Sequence, residues 1–389
     1  MSVLPIAEWM QRDGLAELTN ALGAENIRWV GGCVRDTLLG IDVHDVDCAT
    51  THLPDEVMRR CKEASIKVVP TGIDHGTVTA VFKGGPVEIT TLRQDVATDG
   101  RRATVAFASE WKEDAARRDF TINALYAHPE TYAISDYFSG LADLDTRTVR
   151  FIGDARQRIK EDHLRILRYF RFQARFGAEW DAEAVAACKE LAATLKGLSR
   201  ERVGSELLAI CALPDPSAAF ERMRELGVLA VILPETTPAQ MDALKALIAA
   251  EAAQDFAPDP IRRLAALVPP LAPVAETVAV RLRLSRAQRA RLMTAAERAE
   301  TDADNPQALV YKYKNESAID RLLLAGADAT SLKNWEAPRF PLKGGAIVAR
   351  GVPAGPEVAR IMREIEARWV SEGFPHEARV QQMLDDVLS

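Results

Sequence analysis

The sequence lacks several features that would assign a protein to a class at once. No apolar run approaches the roughly 18 residues of a membrane span, and no basic stretch leads into an apolar segment near the first residue. We therefore expect neither export nor membrane insertion, and a cytoplasmic location. The cysteines are widely spaced without a CxxC pair, which favours buried free thiols over disulfides or a zinc site. They are Cys33, Cys48, Cys61, Cys188 and Cys211.

A basic excess is also missing. The formal net charge of −7 argues against a general binder of polyanions, so any contact with RNA must depend on local clusters. Residues 147–175 hold nine Lys or Arg against three acids, and residues 281–296 hold five Arg and no acid. A solvated helix face is the alternative for either cluster. The six histidines show no H…HD…D pattern, so an appended metal phosphohydrolase is not indicated.

The stretch from Ile27 to Thr51 combines features of a catalytic site. An apolar run at residues 27–30 predicts a strand that stops at Gly31 and Gly32, and residues 34–39 predict a short helix. A helix that starts after two glycines directs backbone N–H groups and its positive dipole end at a bound anion. Arg35 adds a cation, which the next aspartate would hold in place. We interpret this stretch as a seat for phosphate.

Three carboxylates complete the predicted site. Asp45 and Asp47 are two apart on a predicted strand over residues 41–49, so they project from one face and together suit a hard divalent cation, with Mg²⁺ expected. Glu88, on a strand over residues 87–92, would accept a proton from an attacking 3′-hydroxyl or bind a second ion. A solvated strand end and an edge glutamate facing water are the alternatives. A metal beside a phosphate seat suggests nucleotidyl transfer.

The segments GGCVRDTLLG and DVD resemble the signature of class II nucleotidyltransferases of the DNA polymerase β superfamily, which comprises CCA-adding enzymes of tRNA and bacterial poly(A) polymerases. RRDFTINA resembles the second motif of the family. The resemblance implies that Arg117, Arg118 and Asp119 face the sugar and phosphates and that Asn123 braces the turn. From the residues alone, we expect these arginines just before or within the first turn of a helix, with a capped surface helix as the alternative. Residues 93–112 are expected to form a mobile loop.

A helix with the sequence EDHLRILRYFRFQARF carries a possible reader of bases. Asp162 and Arg165 are three apart and place an acceptor beside a donor, which matches the amino group and ring nitrogen of cytosine and adenine but not uracil or guanine. A plain salt bridge between the two is the alternative. The EDxxR motif of the family, matched by Glu161, Asp162 and Arg165, acts as such an amino-acid template. Arg168 and Arg171 would meet triphosphate or primer backbone.

The resemblance extends over nearly the whole chain. LSRERVGSELLA, residues 198–209, resembles the fifth motif and is expected to brace the template helix. We expect an α+β protein whose small mixed sheet is followed by helices. The expected parts are a catalytic head (1–150), a neck (151–213), a body (214–300) and a tail (301–389) in contact with tRNA. Ala346 and Ala359 depart from the family pattern, which weakens the inference about contacts of the tail.

The function that these observations favour is addition of CMP, CMP and AMP to the 3′ end of tRNA from CTP and ATP. A poly(A) polymerase, or an enzyme that adds only A or only CC, is the alternative within the family. An RNA-binding protein that has lost the chemistry is disfavoured, because binding alone does not need Asp45, Asp47 and Glu88 together.

Overall fold

The structure is a computed structural model that describes residues 2–98 and 103–389. Two compact units divide the chain. The first consists of Met1–Glu206 and Ala218–Ile232, and the second of Leu207–Ser217 and Leu233–Ser389. No helix within the described ranges is long and apolar enough to cross a membrane. Each of the five cysteines is buried and free, as predicted.

Nine strands lie in the described part of the first unit. They are β1 (Ile27–Val30), β2 (Val46–Thr50), β3 (Val68–Gly72), β4 (Thr77–Phe82), β5 (Gly85–Thr91), β6 (Arg93–Thr98), β7 (Ala103–Phe107), β8 (Leu125–Ala127) and β9 (Ile134–Asp136). Seven form one sheet in the order β3-β4-β5-β2-β1-β8-β9, and β6 pairs with β7 in a hairpin. Only the β2 and β5 pair is parallel among the pairings of the described strands. The sheet is therefore mixed, as predicted.

The helices of the first unit surround and follow this sheet. They are α1 (Leu15–Leu22), α2 (Gly32–Leu38), α3 (Pro54–Glu63), α4 (Trp111–Ala116), α5 (Gly140–Asp145), α6 (Ala155–Glu161), α7 (Arg165–Phe176), α8 (Ala182–Leu191), α9 (Arg200–Cys211), α10 (Ser217–Glu225) and α11 (Val228–Ile232). Helix α9 begins in the first unit and ends in the second. Short 3-10 helices occur at Glu8–Gln11, Ala24–Asn26, Ile73–His75, Thr121–Asn123 and Ala192–Gly197.

Local sequence explains why the first helices form where they do. Leu15, Leu18 and Leu22 recur at helical spacing, and all three are buried in a core shared with Ile27 and Trp29 of β1. Helix α3 starts with a proline at its first turn, where a missing N–H has no consequence. Strand β2 is buried at four of its five positions, as a central strand must be when both faces are covered. The sheet is thus fixed by apolar contacts around β1 and β2.

The second unit is built from helices. They are α12 (Pro238–Ala253), α13 (Pro260–Ala266), α14 (Ala272–Arg281), α15 (Arg286–Ala296), α16 (Pro306–Tyr313), α17 (Asn315–Leu324), α18 (Gly344–Val348), α19 (Pro356–Ser371) and α20 (Glu377–Leu388), with 3-10 turns at Glu300–Asp304 and Thr330–Leu332. A C-terminal core includes Ile347, Ile365 and Trp369. The α+β prediction of a sheet followed by helices is confirmed.

An ion-pair network lies inside this second unit. Glu251 accepts hydrogen bonds from Arg262 at 2.7 Å and from Arg263 at 2.8 Å. Asp320 accepts from Arg262 at 2.9 Å and from Arg291 at 2.6 Å. Burial of unpaired charges would be strongly unfavourable, so these groups must remain paired for the unit to fold.

Two expected local structures are wrong. Residues 93–112 contain β6, β7 and the start of α4 rather than one loop, because β6 and β7 pair antiparallel along their length. Of the loop's expected basic centre, Arg101 and Arg102 lie outside the described residues. The arginines of RRDFTINA do not begin a helix either. Arg117 is the C-cap of α4, and a 3-10 turn follows at Thr121–Asn123.

Candidate active site

Strands β2 and β5 bring the predicted carboxylates together. In their parallel register Asp47 lies opposite Glu88, and Asp45 immediately precedes β2. Burial raises the pKa of Asp47 to about 6, with Glu88 and then Asp45 adding to the rise and Arg118 opposing it. Asp45 and Glu88 are exposed. The three acids therefore form one negatively charged surface beside an arginine.

This surface suits a magnesium-like ion better than a closed cage. No group of three metal-ligating side chains is already gathered around one point in residues 2–98 and 103–389. Mg²⁺ is usually held by one or two carboxylates, with waters and substrate phosphates as its other ligands. Burial, and after it repulsion from Glu88 and Asp45, raises the pKa of Asp47, and a bound cation would favour its charged form. The donor set fits a hard divalent ion that arrives with a triphosphate.

The glycine turn lies next to an arginine. Gly31 has φ of +71°, a conformation that residues with a side chain rarely adopt, and it is the N-cap of α2. A Cβ placed on Gly31 would lie 3.4 Å from Nη1 of Arg118. Gly31 and Gly32 therefore leave open backbone close to a guanidinium that is 19% exposed.

Arg35 occupies a different environment from the one expected of a phosphate ligand. It is 5% exposed and donates through Nε to Asp36 at 2.7 Å and through Nη1 to Oδ1 of Asn123. Its guanidinium lies 5.1 Å from the ring centre of Phe172 and 4.7 Å from that of Phe176. Burial lowers the pKa of Arg35, while Asp36 opposes the change. The geometry makes Arg35 a link between α2, the 3-10 turn and α7.

Arg117 and Arg118 share one buried acid, Asp114, which the sequence analysis had not selected. Arg117 donates to Asp114 at 2.8 Å, and Arg118 donates to it at 3.3 Å. The hydroxyl of Tyr126 donates to Asp114 at 2.7 Å and accepts from Nε of Arg118 at 2.9 Å. Burial alone would raise the pKa of Asp114, but Arg118 and Arg117 lower it to about 2.

Asp119 and Asn123 form a second buried cluster. Oδ1 of Asp119 accepts from the backbone of Phe120 and from the Asn123 amide, and Oδ2 accepts from Arg168 at 2.7 Å. Burial would raise the pKa of Asp119, but Arg168, the hydrogen bond from Asn123 and the charge of Arg165 together lower it to about 2. The bond from Arg35 to Asn123 joins this cluster to α2.

The predicted template residues are not on one helix. Glu161 is the last residue of α6, Asp162 is its extended C-cap, and Arg165 is the first residue of α7. Asp162 therefore leaves the helical row predicted for it with Arg165, Arg168 and Arg171. The chain turns because Asp162 has φ of −147°, and its carboxylate accepts from the backbone N–H of Leu164.

Side-chain pairing at the template also differs from a simple salt bridge. Asp162 accepts from Arg202 at 2.7 Å, and Arg165 donates to Glu161 at 2.7 Å. Arg165 also donates to the backbone carbonyl of Arg117 at 2.9 Å. The alternative of a direct Asp162–Arg165 side-chain pair is thus wrong, and each residue has its own partner.

Helix α9 supports this region, as expected from its sequence. Its Arg202 holds Asp162, and its Glu206 lies 2.8 Å from Arg171 and 3.8 Å from Arg168. Arg171 also packs over the ring of Phe172 at 4.9 Å. The predicted bracing of the template segment is confirmed by these contacts.

Arg12 is a second residue that sequence reasoning missed. It donates to the backbone carbonyls of Val43 at 3.2 Å and His44 at 2.9 Å, immediately before Asp45. An isolated arginine outside any motif gives no sequence signal for this contact. Tyr126 and Asp114 are comparable, although the position of Asp114 three residues before Arg117 is a signal that helical spacing offered.

Comparison with known proteins identifies the family of this chain. Residues 27–150 match the family described as "Poly A polymerase head domain", and residues 179–240 match "Probable RNA and SrmB- binding site of polymerase A". The mitochondrial CCA tRNA nucleotidyltransferase 1 of Mus musculus is 33% identical, over 93% of this chain and 87% of that protein. The chain belongs to the CCA tRNA nucleotidyltransferase family. The resemblance seen in the sequence is confirmed.

Other members of the CCA tRNA nucleotidyltransferase family agree. The Danio rerio protein of the same name is 34% identical, over 97% of this chain and 89% of that protein. The Bacillus stearothermophilus CCA-adding enzyme, solved in complex with CTP, is 26% identical with a TM-score of 0.77 and covers 98% of both chains. The chain is therefore a nucleotidyltransferase, and its family generally works with a divalent metal ion.

Proposed function

We propose that this nucleotidyltransferase adds CMP, CMP and AMP to the 3′ end of tRNA, using CTP and ATP and releasing pyrophosphate. The observation that carries the proposal is the register of β2 and β5, which sets Asp47 opposite Glu88 in a chain of the CCA-adding family. A family member solved with CTP supports the choice of nucleotide. A poly(A) polymerase, or an enzyme restricted to A or CC, remains the alternative.

Asp45 and Asp47 would hold Mg²⁺ together with the triphosphate. When bound, the ion supplies charge stabilisation at the attacking and leaving oxygens of an in-line displacement. Glu88 would accept the proton of the 3′-hydroxyl as the hydroxyl oxygen bonds to the α-phosphorus and pyrophosphate departs, or would hold a second ion. The exposure of Asp45 and Glu88 leaves both acids accessible to the primer end.

The arginines divide into those that would touch the nucleotide and those that support them. Arg117 and Arg118 keep 16% and 19% of their side chains exposed, and Arg118 lies beside the Gly31 turn, which supports contact with triphosphate. Arg168 and Arg171, at 32% and 25%, are candidates for contact with triphosphate or primer. Asp119, Asn123 and Arg35 are buried and would act by holding these neighbours in place.

Asp162 and Arg165 would read the base. A carboxylate that accepts and a guanidinium that donates match the edges of cytosine and adenine. Uracil and guanine would instead place a carbonyl oxygen against the carboxylate and a ring N–H against the guanidinium. Asp162 is 28% exposed and bonded to Arg202, and Arg165 is 12% exposed and bonded to Glu161. Base binding would therefore share or replace those bonds, which makes the reader a set of four side chains.

The helical remainder would position tRNA. We propose the neck, body and tail over residues 151–213, 214–300 and 301–389, following the head over 1–150. The exposed Arg283 and Arg286, in the basic segment 281–296, are available to phosphate backbone. A cytoplasmic location stays a prediction, and relatives include mitochondrial proteins.

Nucleotide incorporation tests the proposal directly. Purified protein is given tRNA without its CCA end and CTP, ATP or both. CTP alone should add two residues, and both together should complete CCA. Arg165→Ala should lower discrimination against UTP and GTP by at least about tenfold, because the donor that rejects their edges is lost. Primer-extension gels with each nucleotide measure both effects.

A matched control is Arg156→Ala, which removes an exposed arginine of α6 that pairs with Glu190. It should leave discrimination unchanged. Long A tracts without C would refute CCA addition. Unaltered nucleotide choice in Arg165→Ala, with a comparable loss of tRNA affinity, would assign Arg165 to RNA binding instead.

A further inference from the structure

Asp114 lies at a junction of four chain segments. It belongs to α4, is 1% exposed, and accepts from the backbone N–H of Arg93, where β6 begins, at 3.3 Å. It also accepts from Arg117, Arg118 and the hydroxyl of Tyr126 on β8. A carboxylate has about four acceptor sites, so this side chain is saturated by protein donors.

The guanidinium of Arg118 is restrained at several further points. Its Nε donates to Tyr126, and the guanidinium lies 5.3 Å from the centre of that ring. Its Nη1 donates to the backbone carbonyl of Asn123 at 3.4 Å. The guanidinium of Arg117 is held by Asp114 through Nε and Nη2, and its backbone carbonyl accepts from Arg165. Asp114 is therefore the shared side-chain partner that orients both arginines.

We propose that Asp114 is a positioning residue that aims Arg117 and Arg118 and thereby sets the affinity for the triphosphate of both CTP and ATP. The inference deepens the proposed function and rests on it, since that function places triphosphate against these arginines. Asp114 itself touches no substrate, because its carboxylate is sealed behind the guanidiniums.

Electrostatics alone predicts the opposite change in nucleotide affinity when the charge of Asp114 is removed. The direction of that change therefore tests the proposal. Removal of a negative charge near two arginines makes the local potential more positive and would strengthen the binding of a polyanion. Removal of a positioning group lets the guanidiniums rotate and would weaken it. Asp114→Asn keeps the size of the side chain and separates the two effects.

The experiment is equilibrium titration of the full chain with CTP and with ATP, with Mg²⁺ and without tRNA. We expect Asp114→Asn to raise both dissociation constants by about tenfold, the scale of lost charge-assisted hydrogen bonds. The CTP to ATP ratio should not change, because the two nucleotides share a triphosphate. Tyr126→Phe removes one hydroxyl that bonds Asp114 and Arg118, and should weaken both nucleotides by roughly threefold.

Asp302→Asn is the matched control. Asp302 is a buried acid of the second unit that accepts two hydrogen bonds from Arg321 at 2.7 and 2.9 Å. Its substitution should lower the melting temperature without changing either dissociation constant. A comparable change in nucleotide binding there would reduce the Asp114 effect to general destabilisation and overturn the proposal.

The remaining outcomes are distinguishable. If the unsubstituted chain binds and incorporates CTP and ATP while Asp114→Asn binds them equally or more tightly, this inference is overturned and the proposed function stands. If the unsubstituted chain binds neither, both are overturned. If Asp114→Asn does not fold, Tyr126→Phe decides, and unchanged constants there reject the positioning role.

Discussion

Two networks of this chain pair arginine guanidiniums with carboxylates. They differ in whether the arginines are partly exposed or fully buried. In the first unit Asp114 is 1% exposed while its partners Arg117 and Arg118 keep 16% and 19% of their side chains open. In the second unit Glu251 and Arg263 are each 2% exposed. A network with open cations retains capacity for an anionic ligand, whereas one sealed on both sides serves the fold alone.

The difference is not visible in the sequence. Residues 281–296 hold five Arg and no acid, yet Arg281 pairs with Glu235 and Arg291 with Asp320, acids distant along the chain. A local charge count cannot identify partners that folding supplies from other helices. Presence in a basic run therefore does not show which arginines are free to bind an anion.

The largest expected effect is on the rate of catalysis, in variants of the proposed metal ligands of the first unit. Asp45→Asn with Asp47→Asn should lower the rate of CMP addition on the order of 10⁴-fold, because loss of the metal ligands removes several kcal/mol of charge stabilisation. Single-turnover assays measure the rate, and filter binding measures tRNA affinity, which should be little changed. Asp42→Asn, an exposed neighbour, is the control. Retained turnover in the double variant would remove the metal assignment.

Substitution in the buried network of the second unit should lower the free energy of unfolding rather than the activity. Glu251→Gln leaves Arg262 and Arg263 with one buried neutral acceptor in place of a shared carboxylate and should cost ~3 kcal/mol of unfolding free energy. Urea unfolding measures the change. Glu357→Gln breaks a surface pair with Arg360 and should leave the free energy of unfolding nearly unchanged, because exposed ion pairs contribute little. Weaker CTP binding in Glu251→Gln, at full folding, would break the distinction between the networks.

A smaller effect concerns pH and the metal carboxylates. The pKa of Asp47 is raised from 3.8 to about 6 in the folded chain, so between pH 4 and 6 the folded state binds more protons than the unfolded state. This contribution therefore destabilises the fold as pH rises through that window, and Asp47→Asn should abolish it. Urea midpoints at stepped pH without divalent ions measure the slope. Identical slopes in both proteins would contradict the shift.

Patterns among residues close together in the sequence predicted several helices and strands correctly. The strands at residues 27–30 and 77–82 and the helix starting at Pro54 follow from periodicity, proline placement and glycine punctuation. The strand expected over residues 41–49 is wrong in its bounds, because β2 covers only Val46–Thr50 and Asp45 lies just before it. The hairpin of β6 and β7 was missed because its polar composition hides the cross-strand pairing. The break at Asp162 was missed because a helical spacing continues through it in the sequence.

The site shows the same division between local and distant information. Residue types and spacing selected Asp45, Asp47 and Glu88, and the family resemblance implied Arg117 and Arg118. They could not show that Arg35 is enclosed by Phe172 and Phe176, since these rings come from a helix more than a hundred residues later. Arg12, Asp114 and Tyr126 act through contacts made only in the folded chain.

The parallel alignment of β2 with β5 has a consequence for how activity arises during folding. Asp47 and Glu88 come from strands separated along the chain by α3 and a hairpin, and a slip of one residue would turn Glu88 to the opposite face. Neither a nascent chain that stops before β5 nor a misaligned sheet would hold both acids in one place. On the proposed roles of Asp47 and Glu88, catalytic activity would therefore require the correct alignment of β2 with β5.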